Sequence, residues 1–323
     1  MNWRRTTIET RDGLQPAIAP EIISASRETD IPALYSEWLM NRLRAGYAKW
    51  VNPYNPQQTQ CVSFENARTI VFWSKNPRPL MRYLPEIEER GLKYYFTFTL
   101  NDYEAEQLEP GIPSIDERME TFISLSRLLG KERVIWRFDP LILTQRLGVE
   151  GLLGKIRRVG DKIAPYAGKL VFAYIVVAYR KVQSNSRLAG IEYSEFDADT
   201  KVQMAAGIAD LCRGWGIPAA SCAEALDLSS LGIEHNKCID GDLILKITDD
   251  NPTIRALLAK VPEDPGQRTG CRCVPSKEIG AYDTCIHGCV YCYAVRAREK
   301  AVRRFEEHDP TSEYLFTPAR PTC

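Results

Sequence analysis

The chain has 323 residues, 44% of them hydrophobic, with Lys and Arg together numbering 42 and Asp and Glu together numbering 42. That length can bury a large core as one barrel or about two domains, and zero formal charge gives no global electrostatic case for nucleic acid as a standing partner, leaving only a local basic groove as a route to one. The opening MNWRRTTIETRDGLQPAIAP has no apolar h-region and no uncharged run is long enough to cross a bilayer, so a cytoplasmic protein is expected, and ten cysteines in a reducing compartment point to metal ligation before disulfides.

After a polar leader, Glu21 to Ser26 reads as a short buried strand, and Asp30-Ile31-Pro32 as the start of a helix carrying Leu34, Trp38 and Leu43. Residues 46 to 63 break that rhythm with Asn52-Pro53-Tyr54-Asn55-Pro56 and predict a hairpin or lid-like excursion. Arg68 to Ser74 is a second strand, Pro79 to Arg90 a helix stopped by Gly91, and Lys93 to Leu100 a third strand. Ser114-Ile115-Asp116-Glu117 matches a capping box and opens a helix ending at Gly130; Val134 to Phe138 is a fourth strand. Leu152, Ile156, Val159 and Ile163 mark the next helix, Leu170 to Ala178 a fifth strand, Met204, Ile208, Leu211 and Trp215 another helix, and Ile217 to Cys222 a sixth strand. Strands that are apolar throughout and alternate with amphipathic helices predict an α/β fold whose parallel sheet is covered on both faces, with one large barrel preferred.

Residues 1–225 hold these units, 226–277 form an irregular cysteine-bearing segment, 278–308 read as a strand (Glu278 to Asp283), a loop and a helix from about Ala294, and 309–323 as a frayed or draped tail. His308, in the charged run before that tail, reads as surface.

The loop of the last unit is Cys285-Ile286-His287-Gly288-Cys289-Val290-Tyr291-Cys292-Tyr293-Ala294. Three thiolates spaced C-x3-C-x2-C on one tight turn can meet a single cuboidal [4Fe-4S] cluster and leave one iron without a protein ligand. Gly288 lets the backbone turn close to such a cluster, and Tyr291 offers a flat face on which an adenine could stack. Spacing alone also admits a zinc knuckle, with His287 or Cys273 as fourth ligand, or a disulfide pair.

The run HGCVYCYA resembles the cluster loop of radical S-adenosylmethionine enzymes, particularly their spore photoproduct lyase-like branch, and the whole chain is similar to a family of uncharacterised bacterial proteins, a domain of unknown function with such a cysteine cluster near its C-terminus. In those enzymes the loop follows the first barrel strand; here it comes late. The resemblance therefore implies a partial or full TIM-like barrel in circularly permuted order, with the last strand beside the first. It implies S-adenosylmethionine as cofactor, a 5′-deoxyadenosyl radical taking hydrogen from an unknown substrate, and an electron donor such as flavodoxin or ferredoxin. A non-catalytic zinc or iron–sulfur protein and a nucleic-acid lesion lyase are the competing functions.

Working groups gather at the C-terminal ends of strands in such folds. Ser24 and Ser26 share one strand face, and Arg137 and Asp139 another, where they could contact a cofactor's carboxylate and ribose or simply pair with each other. The segment from Phe96 through Asp139, and Trp73-Ser74-Lys75-Asn76-Pro77, are similar to strand ends that hold the cofactor in the superfamily, which assigns Thr97, Arg137 and Asp139 to cofactor contact. Cys222, Cys238, Cys271 and Cys273 could close a second [4Fe-4S] cluster or a zinc site, Cys222 and the C-x-C pair being otherwise core and flank. Glu224 is a candidate general acid or base, or a solvated loop carboxylate.

Overall fold

A computed structural model describes residues 3–267 and 270–316. Its centre is an eight-stranded sheet in the order Ile233–His235, Ala219–Ser221, Leu170–Tyr174, Val134–Leu141, Lys93–Thr99, Thr69–Ser74, Ile22–Ala25 and Lys277–Glu278. Every neighbouring pair is parallel. Seven of these strands run across the sheet in chain order, and the eighth, Lys277–Glu278, returns to pair with Ile23 and Ser24. The last strand therefore lies beside the first, as expected. Among the described residues no pairing joins Ile233–His235 to Lys277–Glu278, so the sheet has two open edges and the barrel does not close through its ladder.

Alternate strand residues feed two cores, as a period of two requires. One face carries Ile23, Ile70, Phe72, Phe96, Phe98, Trp136 and Phe172 into the larger core, with Phe122 of helix Ile115–Leu129, Ile156 of Val149–Ile163 and Ile208 of Ala198–Trp215. The Ser114 and Glu117 capping box opens the first of these helices as its sequence predicts. The other face carries Ile22, Val71, Tyr95, Ile135, Val171 and Ala220, which group with Ile244 of helix Gly241–Ile247 and Ile254 of helix Pro252–Lys260.

Several expectations change in detail. The leader is not unstructured: Arg5–Thr10 and Gly13–Ile18 form an antiparallel hairpin that joins the predicted hairpin, Tyr47–Val51 with Thr59–Ser63, in a four-stranded sheet. Proline at the start of each piece divides the Pro79 to Arg90 segment into Arg78–Met81 and Leu84–Glu89. A further helix, Arg180–Ala189, follows the fifth strand. The irregular segment holds Ile233–His235 and the two helices just named. The last strand is only Lys277–Glu278, and the last helix begins at Arg298.

The described part of the tail is draped, not frayed. Trp38 Nε1 donates to the Ser312 carbonyl at 3.0 Å, Lys49 N to the Glu313 carbonyl at 2.8 Å, and the Lys49 ammonium lies 2.8 Å from the Glu313 carboxylate. Residues 317–323 of the predicted tail lie outside the described residues. His308 is partly exposed, with its ring edge-on to that of Tyr35 at 4.7 Å between centres. No helix among the described residues is long and apolar enough to cross a membrane.

Candidate functional site

The C-terminal ends of the strands open onto a cavity of about 490 Å³. Ser26 reaches it from beyond Ile22–Ala25, Ser74 and Lys75 from Thr69–Ser74, Thr99 from Lys93–Thr99, Arg137 and Asp139 from Val134–Leu141, and Cys222 from beyond Ala219–Ser221. The cysteine loop supplies the facing wall through His287, Cys289, Tyr291 and Cys292.

The short strand Lys277–Glu278 delivers that loop, and a set of bonds fixes it from several sides. Asp283, fully buried, accepts from Arg296 N at 2.5 Å and Nε at 3.0 Å, and Tyr35 donates its hydroxyl to the Thr284 carbonyl at 2.6 Å. His287 Nε2 donates to Asp30 Oδ2 at 2.8 Å, and Asp30 also accepts from Ser74 Oγ at 2.7 Å and Lys75 N at 2.7 Å. Burial opposes the Asp30 charge, but these bonds, His287 first, hold its carboxyl below the usual range. Gly111 N donates to the His287 carbonyl at 2.8 Å and Val290 N to the Leu108 carbonyl at 2.9 Å. A β-carbon on Gly111 would stand 2.6 Å from the His287 oxygen, so only glycine allows that approach. Gly288 turns the loop at φ +68°.

Between the second and third cysteines, Tyr291 is buried and its hydroxyl is held by three partners. It donates to Glu109 and accepts from Lys75 Nζ at 2.8 Å and Asn101 Nδ2 at 3.1 Å. Lys75 lies 2.7 Å from Glu109, and fully buried Arg118 lies 3.6 Å from the same carboxylate. Desolvation works against each charge. Glu109 nonetheless keeps Lys75 charged above its ordinary range, while Lys75 and Arg118 hold Glu109 below its own.

Cys285, Cys289 and Cys292 are partly exposed, and the last two line this cavity. Burial, then the charge of the other two sulfurs, pushes Cys285 far up; burial pushes Cys289 up to about 12 against the pull of Lys75. Across the cavity, Cys222 and Cys238 have their sulfurs 3.2 Å apart, and Cys271 and Cys273 line the same cavity. Arg137 Nη1 donates to Cys238 Sγ at 3.0 Å and Ile239 N to Cys273 Sγ at 3.3 Å. The four thiols share one cavity but do not form a closed tetrahedron. As the side chains stand, no three His, Cys, Asp or Glu groups among the described residues form a ready coordination site.

The structure brings Ser26, Arg137, Asp139, Tyr291 and six of the seven singled-out cysteines to one cavity, all but Cys285 lining it. Arg137 and Asp139 form an ion pair with each other. Three candidates stand back from the cavity. Ser24 donates to Glu278 Oε2 at 2.8 Å; Thr97 donates to the Phe72 carbonyl at 3.2 Å, leaving Thr99 at the rim; and the Glu224 carboxylate is held by Lys201 at 2.9 Å. Sequence reasoning missed the Lys75, Glu109, Asn101 and Arg118 network and the Asp30 to His287 bond; only the polar strand end Trp73 to Pro77 marked part of it.

No curated protein matches the chain. Among solved structures, a "putative alpha-L-fucosidase" from Bacteroides thetaiotaomicron VPI-5482 is similar at a TM-score of 0.26 and 14% identity, over 75% of this chain and 82% of that one, an overlap too loose to bear on fold or activity. A family profile described as Domain of unknown function (DUF1848) matches residues 22–294, which span every strand of the central sheet and the whole cysteine loop, and the chain belongs to that family.

Proposed function

We propose that the chain is an iron–sulfur enzyme of the radical S-adenosylmethionine type, with Cys285, Cys289 and Cys292 as ligands of a [4Fe-4S] cluster and the adjoining cavity as the place of S-adenosylmethionine and a substrate. The observation that carries this is the presence of a C-x3-C-x2-C loop at a cavity made by the C-terminal ends of parallel strands. The donor set fits: three soft sulfurs lie on one tight turn, and the ionisation of each is opposed by burial. Ligation to cationic iron would remove that penalty. A cavity of about 490 Å³ is of the size that encloses a nucleoside-bearing ligand.

When bound, the cluster and S-adenosylmethionine supply reductive cleavage of the sulfonium, with one electron from a donor such as flavodoxin or ferredoxin, to a radical that takes hydrogen from the substrate. The chain's own residues prepare the place. Lys75 sets a buried positive charge near Cys289, favouring thiolate there. Its bond to Tyr291, with those from Glu109 and Asn101, fixes the turn between Cys289 and Cys292. Asp30 and His287 tie the same loop to the first helix. Asp139, partly exposed and steadied by Arg137, presents an acceptor suited to ribose hydroxyls, and Arg27, 5.0 Å over the Trp73 ring, presents a cation suited to a carboxylate.

The test is anaerobic reconstitution, reduction and incubation with S-adenosylmethionine, followed by chromatography for 5′-deoxyadenosine. Product from the natural chain and none from Cys289→Ala is the expected result. Iron-loaded protein that yields no product, or a loop that takes stoichiometric zinc and no iron, would sink the proposal and favour a non-catalytic metal protein.

A further inference from the structure

We infer that Cys222, Cys238, Cys271 and Cys273 form a second, four-thiolate metal centre in the same cavity, separate from the three-cysteine loop. The four sulfurs come from three stretches of chain: a strand end, the turn after Ile233–His235, and the C-x-C segment before Lys277–Glu278. Nothing about secondary structure requires these stretches to meet, yet all four cysteines line one cavity and the sulfurs of Cys222 and Cys238 stand 3.2 Å apart. The 3.2 Å between Cys222 and Cys238 is on the scale of the ~3.8 Å that separates thiolates around one tetrahedral ion with bonds of ~2.3 Å. That pair therefore already stands close to the spacing a shared ion requires.

A second observation concerns charge. Two guanidiniums converge on these sulfurs. Arg137 donates to Cys238 Sγ, and Arg27 faces Cys273, Cys238, Glu278 and Cys271 while its Nη2 is buried with no hydrogen-bond partner. A buried, unpaired guanidinium nitrogen is costly unless an anion faces it. Four neutral thiols do not supply one. Four thiolates around a divalent cation, or around an oxidised [4Fe-4S] core, carry a net charge of about −2, which these guanidiniums would offset in part, Arg137 being also paired with Asp139 and Arg27 also facing Glu278. The peptide N–H of Ile239 and the amide of Asn236, both directed at these sulfurs, are the outer-sphere donors that thiolate sites use. Such a centre also holds the segment carrying helices Gly241–Ile247 and Pro252–Lys260 against the sheet, since Cys238 precedes them and Cys271 and Cys273 follow.

The full chain carrying Cys285→Ala, Cys289→Ala and Cys292→Ala together removes the loop site and isolates this one. After anaerobic expression with zinc and iron both supplied, metal analysis should find about one zinc, or about four irons with a band near ~400 nm, per chain. Zinc identifies a single ion and iron a cluster; either upholds the centre. Adding Cys238→Ser should abolish the metal. Adding Cys271→Ser instead, at the partly exposed member, should weaken retention at least tenfold against a chelator without disturbing the packed core. A folded triple variant that holds no metal and whose four thiols all alkylate freely would overturn the inference. So would mass spectrometry showing a Cys222 to Cys238 disulfide. Neither result bears on the three-cysteine loop, which the triple variant lacks.

Discussion

The ammonium of Lys75 lies 2.8 Å from the phenol oxygen of Tyr291 and is buried beside Glu109, so a charge from the second strand end is built into the turn between two cysteines more than two hundred residues away. Removing one member of a buried pair leaves the other uncompensated. Lys75→Met should cost about 3–5 kcal/mol in denaturant unfolding, whereas Lys75→Met with Glu109→Gln should cost clearly less than the sum of the single changes. Additive losses would show that the two charges do not depend on each other.

Asp30 collects donors from Ala33 N, Ser74 Oγ, Lys75 N and His287 Nε2. Asp30→Ala strands all four and should destabilise by about 3–5 kcal/mol; Asp30→Asn, which keeps one acceptor oxygen, should cost about half as much. Equal losses for the two variants, measured by thermal or denaturant unfolding, would mean that packing and not hydrogen bonding sets the cost.

Two glycines separate damage to the loop from damage to the core. A β-carbon at Gly111 meets the His287 carbonyl at 2.6 Å, and one at Gly160 meets the Trp215 ring at 2.1 Å. Each Gly→Ala change should lower stability by about 1–3 kcal/mol. Only Gly111→Ala should also speed hydrogen exchange at Cys289 to Cys292, because only it displaces that backbone. Equal exchange in both variants would contradict the docking contact.

Glu28 supplies the pH prediction. Burial, then the Glu278 carboxylate, pushes its carboxyl from an ordinary 4.5 up to about 8. Between those values the unfolded chain has released the proton and the folded chain retains it, so stability falls as pH rises from about 4.5 to about 8. Each unit is worth about 1.4 kcal/mol at most, and partial exposure reduces it. Glu28→Gln should therefore gain about 1–3 kcal/mol near pH 7 and nothing near pH 4. A gain independent of pH would rule out the ionisation of Glu28 as its source.

The parallel sheet was legible because Thr69–Ser74, Lys93–Thr99 and Leu170–Tyr174 are apolar nearly throughout, as strands covered on both faces must be. The return of the last strand to the first was expected only through the resemblance of the cysteine loop, and nothing in the residues of either strand marks the pairing. Depth along a strand was not legible. Thr97 and Thr99 share a face by periodicity, yet only Thr99 reaches the cavity. The same limit explains Ser24, which shares a face with Ser26 but turns to Glu278. The Arg5–Thr10 hairpin escaped notice because its alternating residues are mostly polar. The Lys75, Glu109 and Tyr291 network has no local signal, since its members lie on three elements and meet only through the fold.

The bond from Ser24 to Glu278 spans 254 positions. During synthesis the first strand must therefore wait for nearly the whole chain before its outer edge is covered, and contacts so distant in sequence slow folding and prolong the exposure of unpaired strand edges.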